Sequence, residues 1–296
     1  MPSKNTLQNN VKLVLEQGFH ILSKAEISSA WLDTEIILAT VLHKERSFVI
    51  AHPEYILTKS QLEKFQTLIK RRKNHEPIAY LTGKKEFYGL EFVITKDTLV
   101  PRPESELIID EAKKLITPKN NTLIIDVGTG SGCLIISLLH ELSKQHIKPQ
   151  GIALDISNKA LVIAKRNAKK NKIVNINFLQ SNLLLTLIKK PSLIKKVDHI
   201  IILANLPYLT ATEIKLEKSI SQEPRLALYG GRDGLKLYQE LYTQLNKLKA
   251  IISGHVNTTV LCEINAHQKK GLQKIWPKKI QYIKDITGKV RLGIIV

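Results

Sequence analysis

Three glycines at alternate positions, directly after an apolar run, constrain the fold of this chain most. The run at 122–127 reads as a buried strand, Gly128, Gly130 and Gly132 follow it, and an apolar helical pattern begins at Cys133. Glycine allows a tight turn and lets a ligand approach the backbone closely. The helix beyond it offers free N–H groups. The sequence therefore predicts an α/β domain with a nucleotide-type ligand at this loop.

The spacing of the glycines limits the kinds of ligand that this loop can bind. The pattern is G-x-G-x-G, whereas dinucleotide-binding turns carry G-x-G-x-x-G. The next predicted strand ends at Asp155, whose carboxylate can accept both hydroxyls of a ribose. Asp126 precedes the glycines, where an acidic group suits a cation and repels a phosphate. These features favour S-adenosylmethionine, a sulfonium cation, as cofactor; NAD, or a turn that binds no ligand, are the alternatives.

A second motif, Asn205-Leu206-Pro207-Tyr208, follows the strand-like run 198–204. In open α/β sheets, ligands lie outside the carboxyl ends of the strands. The Asn side chain offers one acceptor and two donor hydrogens, so it can hold an amide or amidine –NH2 while the Tyr ring covers its flat face. The alternative is a strand-terminating turn capped by Asn205.

Length and cysteine content limit the class of protein. The chain of 296 residues is long enough for two domains. It has neither an apolar run near 18 residues nor an apolar signal segment, so we expect no contact with a membrane. Cys133 and Cys262 lie in apolar runs, which predicts two buried free thiols, no metal site and a cytoplasmic location.

The net charge of +19 favours a polyanionic partner. Compositional drift is the alternative, because the chain is also rich in Ile and Asn. Few aromatic residues accompany the basic runs, which argues against a surface that stacks bases. A weak contact with RNA or the ribosome through the basic surface is therefore the strongest expectation that the charge allows.

Periodic apolar positions divide the chain into three parts. We expect a small helical bundle at 1–75, a β-hairpin connector with its turn at Gly89 at 76–100, and an α/β domain at 101–296. Strands and helices alternate after about residue 120, which predicts a mostly parallel sheet that ends in an antiparallel hairpin. The Lys-rich run 185–197 is expected to be a surface loop. The predicted elements are strands 122–127, 150–154, 174–180, 198–204, 258–264, 279–285 and 290–296, and helices 132–143, 157–171, 234–248 and 266–274.

Several further segments give the chain a resemblance to the release factor glutamine methyltransferases, the PrmC/HemK family. The resemblance covers most of residues 75–296, and the segments 101–104 (Pro-Arg-Pro-Glu) and 230–235 (Gly-Gly-Arg-Asp-Gly-Leu) are not general methyltransferase features. The segments that carry it are 76–83, 86–90, 99–106, 126–132, 155–157, 223–228 and 230–235.

The resemblance implies both a fold and an activity. Members of the family methylate the side-chain nitrogen of the glutamine in the Gly-Gly-Gln motif of class 1 peptide chain release factors. Residues 1–75 would then be a helical substrate-recognition domain, and residues 101–296 a Rossmann-like methyltransferase domain that binds S-adenosylmethionine.

The resemblance also assigns roles to site residues. Asp155 would hold the ribose of the cofactor and Leu183 would lie beside its adenine. Asn205 would contact both the cofactor and the substrate. The methionine end of the cofactor would be lined by Gly128, Thr129, Gly130, Ser131 and Gly132. The residues that bind the substrate glutamine and carry the transfer would be Asn205, Leu206, Pro207 and Tyr208.

Two positions depart from the family pattern. Leu206 replaces the first proline of Asn-Pro-Pro-Tyr but keeps the backbone carbonyl, and Asn182 stands where an aspartate beside the adenine is usual. Asn-Leu-Pro-Tyr is also typical of rRNA adenine dimethyltransferases, the main alternative. A non-catalytic protein that binds release factors or ribosomes is the second. The helical N-terminal part and the segments 101–104 and 230–235 favour the glutamine methyltransferases.

Overall fold

The computed structural model describes residues 9–118, 120–194, 197–252 and 256–296. The described chain divides into two compact units. The first consists of the residues up to Gly83 together with Glu217–Gln222, and the second of Lys84–Leu216 together with Glu223–Val296. The functional limits expected at residues 75 and 100 stay predictions, and residues 1–8 of the expected helical domain lie outside the described residues.

The first unit is helical, as the sequence predicts. Gly18 allows its helices to approach closely, because a Cβ there would lie 2.6 Å from Thr34 Cγ2 and 2.8 Å from Phe65 Cζ. Arg72 and Asp33, both largely buried, form an ion pair of 2.7 Å between the fourth helix and the second. The helices are α1 (Val11–Ser23), α2 (Ala30–Leu42), α3 (Arg46–Ala51), α4 (Lys59–Lys73) and α5 (Ile78–Thr82).

The second unit begins with the predicted hairpin. Strands β1 (Lys84–Phe87) and β2 (Leu90–Val93) are antiparallel. Tyr88 and Gly89 join them with φ of +51° and +70°. Two positive φ values form the two-residue turn that matches the twist of a hairpin, so the predicted turn at Gly89 is confirmed.

The remaining strands form one sheet of seven, in the order β5-β4-β3-β6-β7-β9-β8. The first five are parallel, while β9 runs antiparallel to β7 and β8, so the predicted sheet and its closing hairpin are confirmed. Strands β3 and β6, in the middle of the sheet, are almost wholly buried, as expected where helices cover both faces. The strands are β3 (Thr122–Val127), β4 (Gln150–Asp155), β5 (Ile176–Gln180), β6 (His199–Ala204), β7 (Asn257–Glu263), β8 (Ile280–Lys284) and β9 (Val290–Ile295).

One expected loop is partly helical. Within 185–197, Leu185–Lys189 forms helix α9, because the fully buried Leu187 packs into the core. Residues 195 and 196 lie outside the described residues. The other helices of this unit are α6 (Glu106–Leu115), α7 (Cys133–Lys144), α8 (Asn158–Lys170), α10 (Ala211–Leu216), α11 (Lys236–Ile251) and α12 (Lys269–Ile275).

Two expectations from composition can be compared with the structure. Both cysteines are free, but Cys133 is only partly buried, whereas Cys262 is buried as predicted. Across the described ranges, no helix combines the length and the apolar character that crossing a membrane requires.

Candidate active site

A cavity of about 270 Å³ opens at the carboxyl ends of β3, β4 and β6. These three strands are adjacent and parallel, so the loops that follow them meet at one edge of the sheet. Of the residues that the sequence singled out, those in the cavity wall are Gly128, Gly130, Asp155, Leu183, Asn205, Leu206 and Pro207.

The glycine loop is held by backbone hydrogen bonds. The N–H groups of Gly128 and Thr129 both donate to Leu154 O, at 2.8 and 2.9 Å. Gly128 and Gly130 have φ of +73° and +56°, which side chains disfavour. A Cβ on Gly128 would also lie 3.2 Å from Leu206 Cδ2. The positive φ values therefore favour glycine at both positions, and the nearby Leu206 side chain favours it further at Gly128.

Asp155 fixes the next part of the wall. Its Oδ2 accepts from Gly130 N–H at 2.9 Å, and its Oδ1 accepts from Ser157 N–H at 2.8 Å. Burial raises the pKa of Asp155, while these backbone donors oppose the rise. Each oxygen keeps a further lone pair, so the carboxylate can still accept hydroxyls from a ligand in the cavity.

Thr129 and Asp126 lie beneath the loop, outside the described cavity wall. Thr129 Oγ1 donates to Asp126 Oδ2 at 2.6 Å. Burial raises the pKa of Asp126 to about 7, and the charge of Asp155 adds to the rise. The structure therefore does not bring Asp126 to face a cationic ligand, and the carboxyl group stabilises the loop instead.

Ser131 and Gly132 also lie outside the described wall. Ser131 O accepts from the Nδ2 of the buried Asn167 at 2.9 Å. A Cβ on Gly132 would lie 2.8 Å from Ile136 Cδ1 and 3.2 Å from Ala164 Cβ. Gly132 thus allows α7 to approach α8, and whether it also contacts the cofactor stays a prediction.

Leu183 lines the cavity in an unusual backbone conformation. Its φ is +49°, and its side chain is buried. A non-glycine residue in this region carries about 1–2 kcal/mol of strain, which is common beside ligand sites. Its neighbours Ser181 and Asn182 complete this part of the wall.

Asn205 is oriented by a buried serine. Asn205 Nδ2 lies 2.9 Å from Ser105 Oγ, and Ser105 Oγ lies 2.6 Å from Glu263 Oε2. A serine hydroxyl has one hydrogen, so Ser105 donates it to the carboxylate and accepts from Asn205. This arrangement uses one Nδ2 hydrogen and leaves Asn205 Oδ1 as the acceptor that the side chain can offer to a ligand in the cavity.

Leu206 lies in the cavity wall and Tyr208 lies behind it, and the contacts with a substrate expected of both stay predictions. The Leu206 side chain is buried and packs over Gly128, so more than its carbonyl shapes the wall. Tyr208 lies outside the described wall, and its hydroxyl donates to Glu263 Oε1 at 3.1 Å. Burial raises the pKa of Tyr208, so the hydroxyl stays protonated.

Sequence reasoning assigned no role to a second part of the wall. Buried Glu223 accepts from Val100 N–H at 2.9 Å and pairs with Arg102, which joins two segments quoted only for their resemblance. The opposite charges of Arg102 and Glu223 were the available signal in the sequence. The wall residues without an earlier role lie at 96–99, 156–157, 160, 181, 224, 226–227 and 237.

The doubly wound sheet, its closing antiparallel hairpin and the strand-end cavity define a methyltransferase domain. A model described as methyltransferase domain matches residues 118–288, and one described as PrmC N-terminal domain matches residues 14–83. The crystal structure of the hMettl16 catalytic domain with an RNA hairpin shares the fold, with a TM-score of 0.51 and 14% identity over 79% of this chain and 81% of that one.

Two curated relatives narrow the class. The release factor glutamine methyltransferase of Clostridium botulinum is 33% identical over 95% of this chain and 97% of its own length. The enzyme of that name from Dictyoglomus turgidum is 37% identical over 74% of each chain. This chain belongs to the release factor glutamine methyltransferase family, and the resemblance found in its sequence is confirmed.

Proposed function

We propose that the protein transfers a methyl group from S-adenosylmethionine to the side-chain amide nitrogen of the glutamine in the Gly-Gly-Gln motif of class 1 peptide chain release factors. The observation that supports this most is Asn205, whose amide is held in the cavity wall with Nδ2 turned to Ser105. An acceptor so placed suits a substrate –NH2 group. The names of the relatives support a release factor as the partner. We propose that the two proteins meet in the cytoplasm.

The cavity suits S-adenosylmethionine. Gly128 and Gly130 line the cavity with backbone alone, and Asp155 presents a carboxylate able to accept ribose hydroxyls. Leu183 supplies an apolar surface for a base. When bound, the cofactor supplies an electrophilic methyl group on a sulfonium.

The task left to the protein is alignment of a poor nucleophile. The lone pair of an amide nitrogen is delocalised into its carbonyl. If Asn205 Oδ1 and the Leu206 carbonyl each accept one N–H, the nitrogen is held in one orientation, and the positive charge that develops on it is stabilised by the same two oxygens. Tyr208, behind the wall, supports this strand end through Glu263.

The test is direct. A class 1 release factor and naked rRNA are each incubated with the protein and methyl-labelled S-adenosylmethionine, and the label is located by mass spectrometry. We expect label on the glutamine of Gly-Gly-Gln, and none in a release factor whose motif glutamine is replaced by alanine. Label in rRNA adenine alone would favour the adenine methyltransferase alternative, and cofactor binding without transfer would favour a binding protein. A weak contact with RNA or the ribosome would add salt dependence to the rate.

A further inference from the structure

Glu263 is a buried carboxylate behind the part of the cavity wall that Asn205 forms. The proposed reaction does not use it directly. Glu263 is the last residue of β7, and the pairing of Ala204 with Cys262 places it level with Asn205 on the neighbouring strand. One oxygen accepts from the Ser105 hydroxyl and the other from the Tyr208 hydroxyl. The carboxylate therefore joins three segments that are far apart in the sequence.

The surroundings of Glu263 do not neutralise it by a direct ion pair among the described residues. The charge of Arg291 lowers the pKa of Glu263, but Arg291 forms its own pair with Asp285 at 3.0 Å, and Glu104 adds a like charge. A buried charge held mainly by hydroxyls is costly. Burial accordingly raises the pKa of Glu263. A carboxylate kept at such a position needs an explanation beyond packing.

The direction of the hydrogen bonds around Glu263 explains why a carboxylate is kept there. A carboxylate can only accept, so it draws the single Ser105 hydrogen and leaves the Ser105 lone pairs facing Asn205 Nδ2. If the group at 263 donated instead, the Ser105 hydrogen would be free to bond Asn205 Oδ1. The amide could then turn and present donors to the cavity, and one N–H of a substrate –NH2 group would lose its acceptor.

We propose that Glu263 is a positioning residue that acts through Ser105 to hold the Asn205 amide with its oxygen toward the cavity, and through the Tyr208 hydroxyl to fix the strand end. The role in catalysis rests on the proposed function. The orientation of Asn205 does not, and it can be measured without any substrate.

The first experiment uses the side-chain amide resonance of Asn205 in the ¹⁵N-labelled full chain, assigned by its loss in Asn205→Asp. We expect Glu263→Gln and Ser105→Ala to shift this resonance and to speed its hydrogen exchange, although Glu263 makes no hydrogen bond to Asn205. Ser105→Thr, which keeps the hydroxyl, should restore the wild-type behaviour. The matched control is Ser137→Ala, which removes a buried hydroxyl from α7. An Asn205 resonance unchanged by Glu263→Gln would overturn the proposal, whatever the substrate proves to be.

The second experiment measures methyl transfer to the release factor. Glu263→Gln and Ser105→Ala should each lower kcat about 10- to 100-fold, the cost of a misplaced reacting group. KM for the release factor and Kd for the cofactor should stay within about threefold. The double variant should lose no more than the worse single one, because both act on Asn205 along one path. Additive losses, or a fall in thermal stability with kcat unchanged, would show a merely structural role.

A wild-type protein that leaves glutamine unmethylated would count against the proposed function, while the amide resonance would still decide the role of Glu263.

Discussion

The two walls of the cavity are built on different principles. The glycine-loop wall, formed by Gly128, Gly130 and Asp155, is held by backbone N–H groups that bond to Leu154 and Asp155 within 27 positions of one another in the sequence. The strand-end wall, residues 205–207, depends on side chains: Asn205 bonds Ser105, 100 positions away, which bonds Glu263, 158 positions further along. Backbone conformation therefore shapes one wall, and side-chain orientation the other. Substitutions in the first should change ligand affinity, and those in the second the rate of transfer.

The largest effect is expected from Asn205→Ala, a substitution in the strand-end wall. Asn205→Ala should lower methyl transfer by at least about 100-fold, the scale found when one stabilising contact to a developing charge is removed. Calorimetry should find the affinity for S-adenosylmethionine within a few-fold of wild type. Asn177→Ala, in an exposed position of β5, is the matched control and should change neither quantity. Transfer above a tenth of the wild-type rate would remove Asn205 from its proposed role.

Asp155→Ala tests the other wall. The loss of a charge-assisted pair of hydrogen bonds should weaken cofactor binding by roughly 1–3 kcal/mol, while kcat at saturating cofactor changes much less. Asp198→Ala serves as control, because this carboxylate bonds Asn121 N–H at the amino end of β6. Unchanged cofactor affinity in calorimetry would exclude Asp155 from the binding site.

Leu206→Pro lies where the walls touch. Proline keeps the backbone carbonyl, so kcat should stay within about threefold, but the side chain that packs over Gly128 is lost in part. Leu206 N–H also lies against the buried Tyr238 hydroxyl, and proline has no such group. We expect the free energy of unfolding to fall by about 1–3 kcal/mol in chemical denaturation. A large loss of kcat in a folded variant would mean that the leucine side chain itself contacts the substrate.

The smallest expected effect is on stability beneath the glycine loop. Burial raises the pKa of Asp126 from 3.8 to about 7, so the folded protein binds the proton more tightly than the unfolded chain. The contribution of Asp126 to the free energy of unfolding is therefore fully present below pH 3.8 and is lost as the pH rises toward 7. Asp126→Asn should relieve the loss, and at pH 8 it should be more stable than wild type by at least about 1 kcal/mol, the worth of one pKa unit. Denaturation curves at pH 5 and pH 8 with the same difference between the two proteins would contradict this.

The prediction for the run 185–197 differs from the structure because packing overrules the local composition there. The Lys-rich run 185–197 has the composition of a loop, but a single apolar residue, Leu187, reaches the core and organises a helical turn around it. Thr129, Ser131 and Gly132 lie outside the described cavity wall, and whether they contact the cofactor stays a prediction. Tyr208 points its hydroxyl at Glu263, and whether its ring also meets a substrate stays a prediction.

The sequence by itself determined the sheet, the hairpin turn at Gly89 and the glycine loop, because strand period, turn chemistry and positive φ are local properties of the chain. The strand bounds and the loop at Gly128 follow from residues next to one another. Only the tertiary structure decided how Asn205 is turned. Its orientation depends on Ser105 and Glu263, and hydrogen bonds between distant buried side chains leave no periodic trace in the sequence. They form because burial leaves each polar group no partner but another brought to it by the fold.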